Sequence, residues 1–221
     1  MAAIRISFGP AHLLPAGANA TCHDVISELQ PMPDRRSFIA QALASGAAVA
    51  MGAAPATAQS FVFPEAMMPR LFRLSEPLPE GTIHVFPNDF GLYWSLPGGE
   101  GQVIRYSVGI GRAGLYESGE FTVGAKKKWP SWRPTDEMIE RDPASYAQFA
   151  EGVPGGPENP LGARALYLFQ PGRGDTFLRI HGTQYPRTIG RRVSNGCVRL
   201  VNSHITHLYD QVPQGTPVYL L

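Results

Sequence analysis

The chain has 221 residues, with 19 lysines and arginines against 18 aspartates and glutamates, so its formal net charge is +1. Because basic and acidic residues are nearly equal in number, the chain has no global basic field, which excludes nucleic-acid binding by overall charge. Beyond residue 58 no segment is apolar enough to span a membrane, so we expect no stable span in the mature protein.

Residues 34–60 indicate a targeting segment rather than part of a fold. Arg35 and Arg36 precede an alanine-rich apolar run that ends in a small-x-small pattern at Ala56 and Ala58. This combination is typical of a twin-arginine export signal, with cleavage predicted after Ala58. The alternative is a membrane-anchoring helix, but the run is too rich in alanine and glycine for a comfortable span.

Residues 1–31 precede this signal and show no clear hydrophobic period. We interpret them as a mis-assigned start, with translation beginning at Met32, and a long n-region is the alternative. The predicted division is a leader over 1–58, a linker over 59–81 and one folded domain over 82–221.

The cysteine count points to one residue. Cys22 lies in the leader, so the mature protein keeps only Cys197. A single thiol in an oxidising envelope cannot form an internal disulfide, which makes Cys197 a candidate reactive group. The alternative is an inert buried cysteine. Polar and glycine residues at 194–196 favour the reactive interpretation.

Short strands follow one another in the first half of the domain. Residues 82–87, 92–96 and 102–108 have strand patterns, and turn-forming residues at 88–91 and 97–101 separate them. A meander of this kind predicts a mainly antiparallel sheet, and hence a mainly β fold.

Residues 109–114 spell G-x-G-x-x-G directly after a predicted strand. A dinucleotide-binding motif would require a helix to begin there, but residues 115–124 have the pattern of a turn and a strand. We therefore predict a tight connection between strands at this point, and no nucleotide or other cofactor.

Residues 125–164 interrupt the strand pattern and predict a long lid-like insertion. Thr135 is placed to cap a short helix over 136–141. The insertion begins with a basic and aromatic run, Lys126, Lys127, Lys128 and Trp129. This run is either a solvated turn or a contact for an anionic, partly apolar ligand such as a carboxylate-bearing peptide. Single-stranded nucleic acid would use similar groups, but an exported protein rarely meets it.

Strands are predicted again at 165–169 and 176–180, and His181 ends the second of these. A helix capped by Asn202 follows, and a final strand over 217–221 closes the domain. The residues predicted to form the buried face of this helix are Ile205, Leu208, Tyr209 and Val212.

His204 and His207 lie three residues apart on this predicted helix, with Asp210 nearby. A zinc site needs further cysteine, histidine or carboxylate ligands at close spacing. The pattern therefore predicts no metal site.

His181 and Cys197 suggest nucleophilic catalysis. A thiol attacks as the thiolate, and a neighbouring imidazole is the usual base that produces it. Gly196 permits a tight turn, so the amides of Asn195, Gly196 and Cys197 can point at one spot, as an oxyanion site requires. The spacing alone leaves open that the two residues are unrelated.

Several separate motifs occur in one order from about Thr82 to the C-terminus. They are the segments 108–114, 126–130, 159–167, 180–183 and 190–200, the last reading Gly-Arg-Arg-Val-Ser-Asn-Gly-Cys-Val-Arg-Leu. Together these motifs resemble the catalytic domain of the L,D-transpeptidases, often called the YkuD type.

The resemblance implies a β-sandwich-like domain with a short C-terminal helix, and a cysteine acyltransferase of peptidoglycan. Cys197 would attack the carbonyl between an L-centre and the following D-residue of a stem peptide. His181 would be the base, and the Gly182 carbonyl would orient its ring in place of a triad carboxylate. An amine of a neighbouring stem, or of a wall-attached lipoprotein, would resolve the thioester.

Charge and position suggest which residues contact the substrate. Arg199 and the run Lys126–Lys128 are candidates for binding its carboxylates. The remaining candidate contacts are Trp129, Ser194, Asn195 and Gly196. Many family members read Ser-His-Gly-Cys at the nucleophile, whereas this chain has Asn195 at the second position, so His181 must be the base and Asn195 a polar contact.

Two alternatives stay open for a protein of the periplasm or cell envelope. One is an L,D-carboxypeptidase or other cysteine hydrolase, and the other is a non-catalytic cell-wall binding module. A penicillin-binding D,D-enzyme is disfavoured, because no serine in the chain is followed three positions later by lysine.

Overall fold

The structure is a computed structural model that describes residues 62–221. The predicted twin-arginine pair, the cleavage after Ala58 and the proposed start at Met32 lie outside the described residues. The strands are β1 (Arg70–Arg73), β2 (Ile83–Phe86), β3 (Gly91–Ser95), β4 (Gln102–Ser107), β5 (Ile110–Gly111), β6 (Gly119–Lys128), β7 (Arg164–Gln170), β8 (Gly174–His181), β9 (Arg192–Ser194), β10 (Val198–Arg199) and β11 (Pro217–Leu220). The helices are α1 (Asp136–Arg141), α2 (Pro143–Tyr146) and α3 (Asn202–Gln211), with 3-10 turns at Glu65–Met67, Ala147–Phe149 and Pro186–Thr188.

Nine strands form one sheet in the order β1-β4-β3-β2-β11-β6-β7-β8-β10, and β5 pairs with β9 in a second, two-stranded sheet. Most neighbouring pairs in the large sheet are antiparallel, which confirms the predicted mainly β fold. The pairs β2–β11, β8–β10 and β5–β9 are parallel. Parallel partners are joined by long crossover connections, so no local turn signal predicted them.

One hydrophobic cluster draws side chains from distant parts of the large sheet. It includes Trp94 of β3, Ile180 of β8 and Val218 of β11, all at most 1 % exposed. Strand β3 is buried along its whole length, so both of its faces are covered. A mainly β domain with a covered sheet agrees with the sandwich-like architecture that was expected.

Helix α3 lies against β7 and buries the predicted face. The predicted cap by Asn202 was wrong, because Val201 occupies the cap position and makes no side-chain bond there. Asn202 is the first helical residue, and its Oδ1 accepts a hydrogen bond from the Ala163 amide at 3.0 Å. Of the helices within residues 62–221, none has the length and apolar character needed to cross a bilayer.

Strand β1 lies within the segment that was predicted to be an irregular linker. It pairs antiparallel with β4 over Arg70–Arg73. All four of its residues are exposed, so the alternation of apolar and polar side chains that marks a half-buried strand is missing here. The edge strand is held by its backbone pairing with β4 and by a hydrogen bond from the Arg73 guanidinium to the Glu100 carbonyl at 2.6 Å.

Strand β6 extends further than predicted. It continues to Lys128, which pairs with Arg164 of β7. The three lysines therefore belong to the sheet and not to the insertion, because ladder hydrogen bonds outweigh the weak strand preference of lysine. The insertion itself, called the lid below, covers residues 129–163.

Candidate active site

The parallel pairing of β10 with β8 brings the candidate base and nucleophile onto neighbouring strands. Arg199 lies opposite His181, and Val198 lies opposite Ile180. Cys197 lies directly before β10 and precedes Arg199 by two residues, so standard strand spacings give a diagonal Cα separation from His181 of about 8 Å. Side chains at such positions can meet above the sheet.

His181 is buried, with 3 % of its surface exposed. Its Nδ1 lies 2.6 Å from the Gly182 carbonyl oxygen, and because a carbonyl only accepts, Nδ1 carries the proton and Nε2 is the basic nitrogen. Burial, together with the charges of Arg199 and Arg179, lowers the pKa of His181 to about 3, although the carbonyls of Gly182 and Leu161 oppose the shift. The ring is therefore a neutral base at physiological pH.

Gly182 has no room for a side chain. A Cβ atom there would lie 2.2 Å from Asn202 Oδ1 and 3.1 Å from the Ala163 amide nitrogen. The end of β8 can therefore approach the start of α3 only with glycine at this position. This contact fixes the carbonyl that holds the His181 ring.

Cys197 is partly exposed, and its Sγ lies 3.8 Å from the Phe177 carbonyl oxygen. Burial by its neighbours raises the pKa of the Cys197 thiol, although the Arg179 amide and the charges of Arg179 and Arg199 act in the opposite direction. Both shifts favour the neutral forms, a thiol at Cys197 and an imidazole at His181.

Ser194 closes the turn of residues 194–197, which carries the candidate nucleophile Cys197 and is called the nucleophile turn below. The Ser194 hydroxyl donates to the Cys197 carbonyl at 2.6 Å and accepts from the Gly196 amide at 3.3 Å. Gly196 has a φ of 122°, a left-handed conformation that favours glycine. Ser194 is 1 % exposed, so its hydroxyl shapes the turn from inside.

The glycine-rich segment 109–114 packs against the turn of residues 194–197 and bonds to its flanking strands. Gly109 exchanges backbone hydrogen bonds with Arg199, and the Arg112 amide donates to the Ser194 carbonyl. A Cβ on Gly111 would lie 3.1 Å from Gly196 Cα. No helix follows within the described chain until α1, and β6 comes next, which confirms the predicted tight connection between strands.

Arg199 faces the site without an ion-pair partner among residues 62–221. Its Nε atom is buried and makes no hydrogen bond with the described residues. Burial lowers the pKa of Arg199, and the nearby charge of Arg112 lowers it as well. A guanidinium held in this way is available to an anionic ligand.

The candidate lysines are divided by the fold. The Lys126 ammonium donates to the carbonyls of Tyr209 and Val212 at 2.7 and 2.5 Å, so it closes the C-terminal end of α3. This position differs from the substrate contact predicted for Lys126, because its strand face packs on the helix. Lys127 and Lys128 are exposed, and Trp129 begins the lid with 45 % of its surface exposed.

Asn195 joins the nucleophile turn to the lid. Its Oδ1 accepts from Arg112 at 2.7 Å and from Arg141 at 2.9 Å, and its Nδ2 donates to the Tyr146 hydroxyl at 2.7 Å. Thr135 caps α1 as predicted, accepting from the Met138 amide at 3.3 Å. Sequence reasoning missed the two arginines and the tyrosine. Of these three residues, only Arg112 lies inside one of the motifs that carry the family resemblance, the segment 108–114.

The two histidines of α3 lie apart from this site. His207 Nδ1 bonds the Tyr106 hydroxyl at 2.8 Å, and His204 packs edge-on against Phe63. Within residues 62–221, no group of three histidine, cysteine or carboxylate side chains is arranged to hold a metal ion.

Comparison with known sequences gives one consistent family. Residues 80–220 match the model of the YkuD L,D-transpeptidase catalytic domain. The probable L,D-transpeptidase YbiS of Escherichia coli (strain K12) is 37% identical over 156 residues, which are 70% of this chain and 48% of that protein. A putative L,D-transpeptidase of Fuscovulum blasticum is 38% identical over 129 residues, covering 58% of this chain and 62% of that protein. The chain thus spans about half the length of YbiS.

Two solved structures are similar to the chain with TM-scores below 0.5. A Brucella melitensis structure described as a probable carnitine operon oxidoreductase is 44% identical, with a TM-score of 0.48 over 72% of this chain and 96% of that one. An Enterococcus faecium L,D-transpeptidase is 16% identical, with a TM-score of 0.48 over 65% of this chain and 50% of that one. At TM-scores below 0.5, these likenesses bear on neither fold nor activity.

Proposed function

The chain belongs to the L,D-transpeptidase catalytic domain family of the YkuD type, and from this membership we propose that it is a cysteine acyltransferase of peptidoglycan stem peptides. One observation carries the proposal. The register of β8 and β10 pairs Arg199 with a buried His181, and the partly exposed Cys197 lies directly before β10, two residues from Arg199. This is the arrangement that a thiol nucleophile and its base require.

Acylation begins when Cys197 Sγ attacks the carbonyl carbon between an L-centre and the next D-residue. The thiol proton passes to His181 Nε2 during the attack, because burial disfavours both the free thiolate and the free imidazolium. The carbon–nitrogen bond then breaks, and the leaving amine of the D-residue takes that proton. The acyl group remains on Cys197 as a thioester, while the Gly182 carbonyl keeps the ring in position.

The negative charge on the attacked oxygen needs hydrogen-bond donors. Since the Gly196 amide already points toward Ser194 Oγ, the Cys197 amide is the proposed main donor of the turn. Arg199, with its unpartnered Nε, is the proposed contact for a substrate carboxylate near the reacting carbonyl. Lys127, Lys128 and Trp129 are exposed where the lid begins and are proposed outer contacts.

Deacylation decides the product. An amine of a neighbouring stem attacks the thioester carbonyl and gives a proton to His181. The carbon–sulfur bond then breaks, the new peptide bond remains, and His181 returns the proton to the Cys197 sulfur. A lipoprotein amine would react in the same way and attach that protein to the wall. Water in place of the amine would give a shortened stem, which is carboxypeptidase activity.

Localisation in the periplasm follows from the sequence pattern before Ala58. We propose export by the twin-arginine route, cleavage after Ala58 and a catalytic domain over 82–221. Mass spectrometry of the periplasmic protein should find an N-terminal peptide beginning at Gln59. Any precursor peptide that lies before Met32 would contradict the proposed start.

The proposed activity is tested with disaccharide-tetrapeptide and the purified protein, followed by mass spectrometry of the products. A dimer joined through the third residues, absent with Cys197→Ala, is the expected result. Tripeptide without dimer would favour the carboxypeptidase. No product, together with a thiol that reacts slowly at neutral pH, would leave a binding module and contradict catalysis.

A further inference from the structure

Two arginines from different elements meet on one neutral atom beside the nucleophile. Arg112, which follows β5, and Arg141, which ends α1, both donate to Asn195 Oδ1, at 2.7 and 2.9 Å. Neither arginine forms an ion pair with any residue in the described range 62–221. Glu137, one turn earlier on α1 and fully solvated, is the carboxylate whose charge interacts with Arg141.

This arrangement leaves positive charge uncompensated. An amide oxygen carries only a partial charge, and like charges held close together repel. A carboxylate has two oxygens and a full negative charge, so it can accept from both guanidinium groups at once. Arg199 adds to the same field, since it lies close enough to interact with the charge of Arg112.

The lid brings one of the two arginines to this position. Helices α1 and α2 contain no buried residues, so their position over the turn depends on side-chain contacts rather than on a hydrophobic core. Asn195 supplies such contacts, through Arg141 and through the Tyr146 hydroxyl. The pair of arginines is complete only when the lid lies against the turn.

We propose that Arg112 and Arg141, gathered on Asn195, form a carboxylate-binding site at the lid edge of the nucleophile turn. The ligand is a free carboxylate of the peptide substrate, an assignment that rests on the proposed function. Binding of the carboxylate replaces a weak neutral acceptor with a charged one, and so holds the lid closed while Cys197 reacts. Asn195 acts as the positioning residue for both arginines.

The first test measures binding without turnover. Isothermal titration calorimetry of the Cys197→Ala protein with disaccharide-tetrapeptide gives Kd for the variants Arg112→Gln and Arg141→Gln. Each should weaken binding by about tenfold or more, the effect expected for a lost charge-assisted hydrogen bond. Converting the carboxylates of the peptide to carboxamides should cost less affinity in the variants than in their parent.

Arg133→Gln is the matched control. Arg133 is also an exposed lid arginine, but it pairs with Asp136 within the lid, so its loss should leave Kd unchanged. An equal loss of affinity in Arg133→Gln would show that general lid charge is responsible, and would overturn the proposed site.

The variant Asn195→Asp should change the melting temperature and the peptide affinity in opposite directions. The new carboxylate would occupy the acceptor position, so the melting temperature should rise through the lid ion pair while peptide affinity falls by about tenfold or more. Unchanged affinity in this variant would overturn the inference, and a lower melting temperature would contradict the ion pair.

Failure of this inference differs from failure of the proposed function. If the wild-type protein forms dimer and the two arginine variants bind the peptide normally, the site is wrong and the function stands. If the wild type forms no product but binding still depends on both arginines, the function is wrong and the site stands.

Discussion

Two regions meet at the nucleophile turn, and different forces hold them in place. One is the end of the sheet at β8 and β10, and the other is the lid over 129–163. His181 is set by strand pairing, by burial and by the tight contact of Gly182 with α3. The lid helices bury no residue and reach the turn through hydrogen bonds to Asn195. The fold itself therefore holds the proposed base in place, whereas hydrogen bonds between exposed groups hold the lid helices on the turn.

Replacing the base should produce the largest effect. His181→Ala leaves the Cys197 proton without an acceptor, so we expect kcat/KM for dimer formation to fall by about 10³-fold. The measurement is the initial rate with disaccharide-tetrapeptide at pH 7.

His204→Ala is its control, because His204 is also buried, at 4 % exposure, but lies on α3. It should reduce the free energy of unfolding and leave the activity of the folded protein intact. Equal activity losses in both variants would contradict a specific role for His181.

Gly182→Ala should disturb the rigid end of the sheet at β8. Its Cβ would lie 2.2 Å from Asn202 Oδ1, so either the Asn202 side chain must leave the Ala163 amide or the end of β8 must move. We expect a loss of about 2–4 kcal/mol of unfolding free energy, measured by urea denaturation, and a strong loss of activity. Gly156→Ala, in the lid with open space around it, should change stability by less than about 0.5 kcal/mol.

Lower pH should destabilise the sheet and α3, which carry the buried histidines, because the lid contains no histidine. Burial lowers the pKa of His181 to about 3 and that of His204 to about 4, whereas both titrate near 6.5 in the unfolded chain. Below pH 6.5 the unfolded state binds protons that the folded state excludes. The free energy of unfolding should therefore fall between pH 7 and pH 5, by about 2 kcal/mol for each histidine.

Urea denaturation at pH 7, 6 and 5 measures this loss. A free energy of unfolding that stays constant over that range would mean that neither ring is buried in its neutral form.

Lys126→Met should give the smallest effect and separates structural from substrate lysines. The ammonium closes the end of α3 and lies 4.3 Å from the centre of the Tyr209 ring, so its loss should cost about 1 kcal/mol of stability with KM unchanged. Lys127→Met, at an exposed position, should leave stability unchanged. A raised KM in Lys126→Met would restore the lysine as a substrate contact.

The sequence predicted most of what local pattern controls. Turn residues and alternation predicted β2, β3, β4 and β8, and the helical period predicted the buried face of α3. The family resemblance, and not the spacing alone, singled out His181 and Cys197, whose catalytic roles stay a prediction. Each of these features depends on neighbours close in sequence.

The rest depends on contacts between distant segments. Nothing near Lys126 indicates that it meets the C-terminal end of α3, and nothing near Arg141 indicates that it meets Asn195. Asn202 has the side chain of a helix cap, but the Ala163 amide competes for it. Edge strand β1 is exposed and pairs with β4 through its backbone, which no side-chain pattern in the sequence indicates.

A thioester on Cys197 can be detected by acid-quenching the protein with disaccharide-tetrapeptide and measuring its intact mass. We expect an adduct equal to the substrate less its last D-residue, located on the peptide that contains Cys197 and absent in Cys197→Ala. Dimer formation by the wild type without any adduct on that cysteine, or with the adduct on another residue, would contradict it.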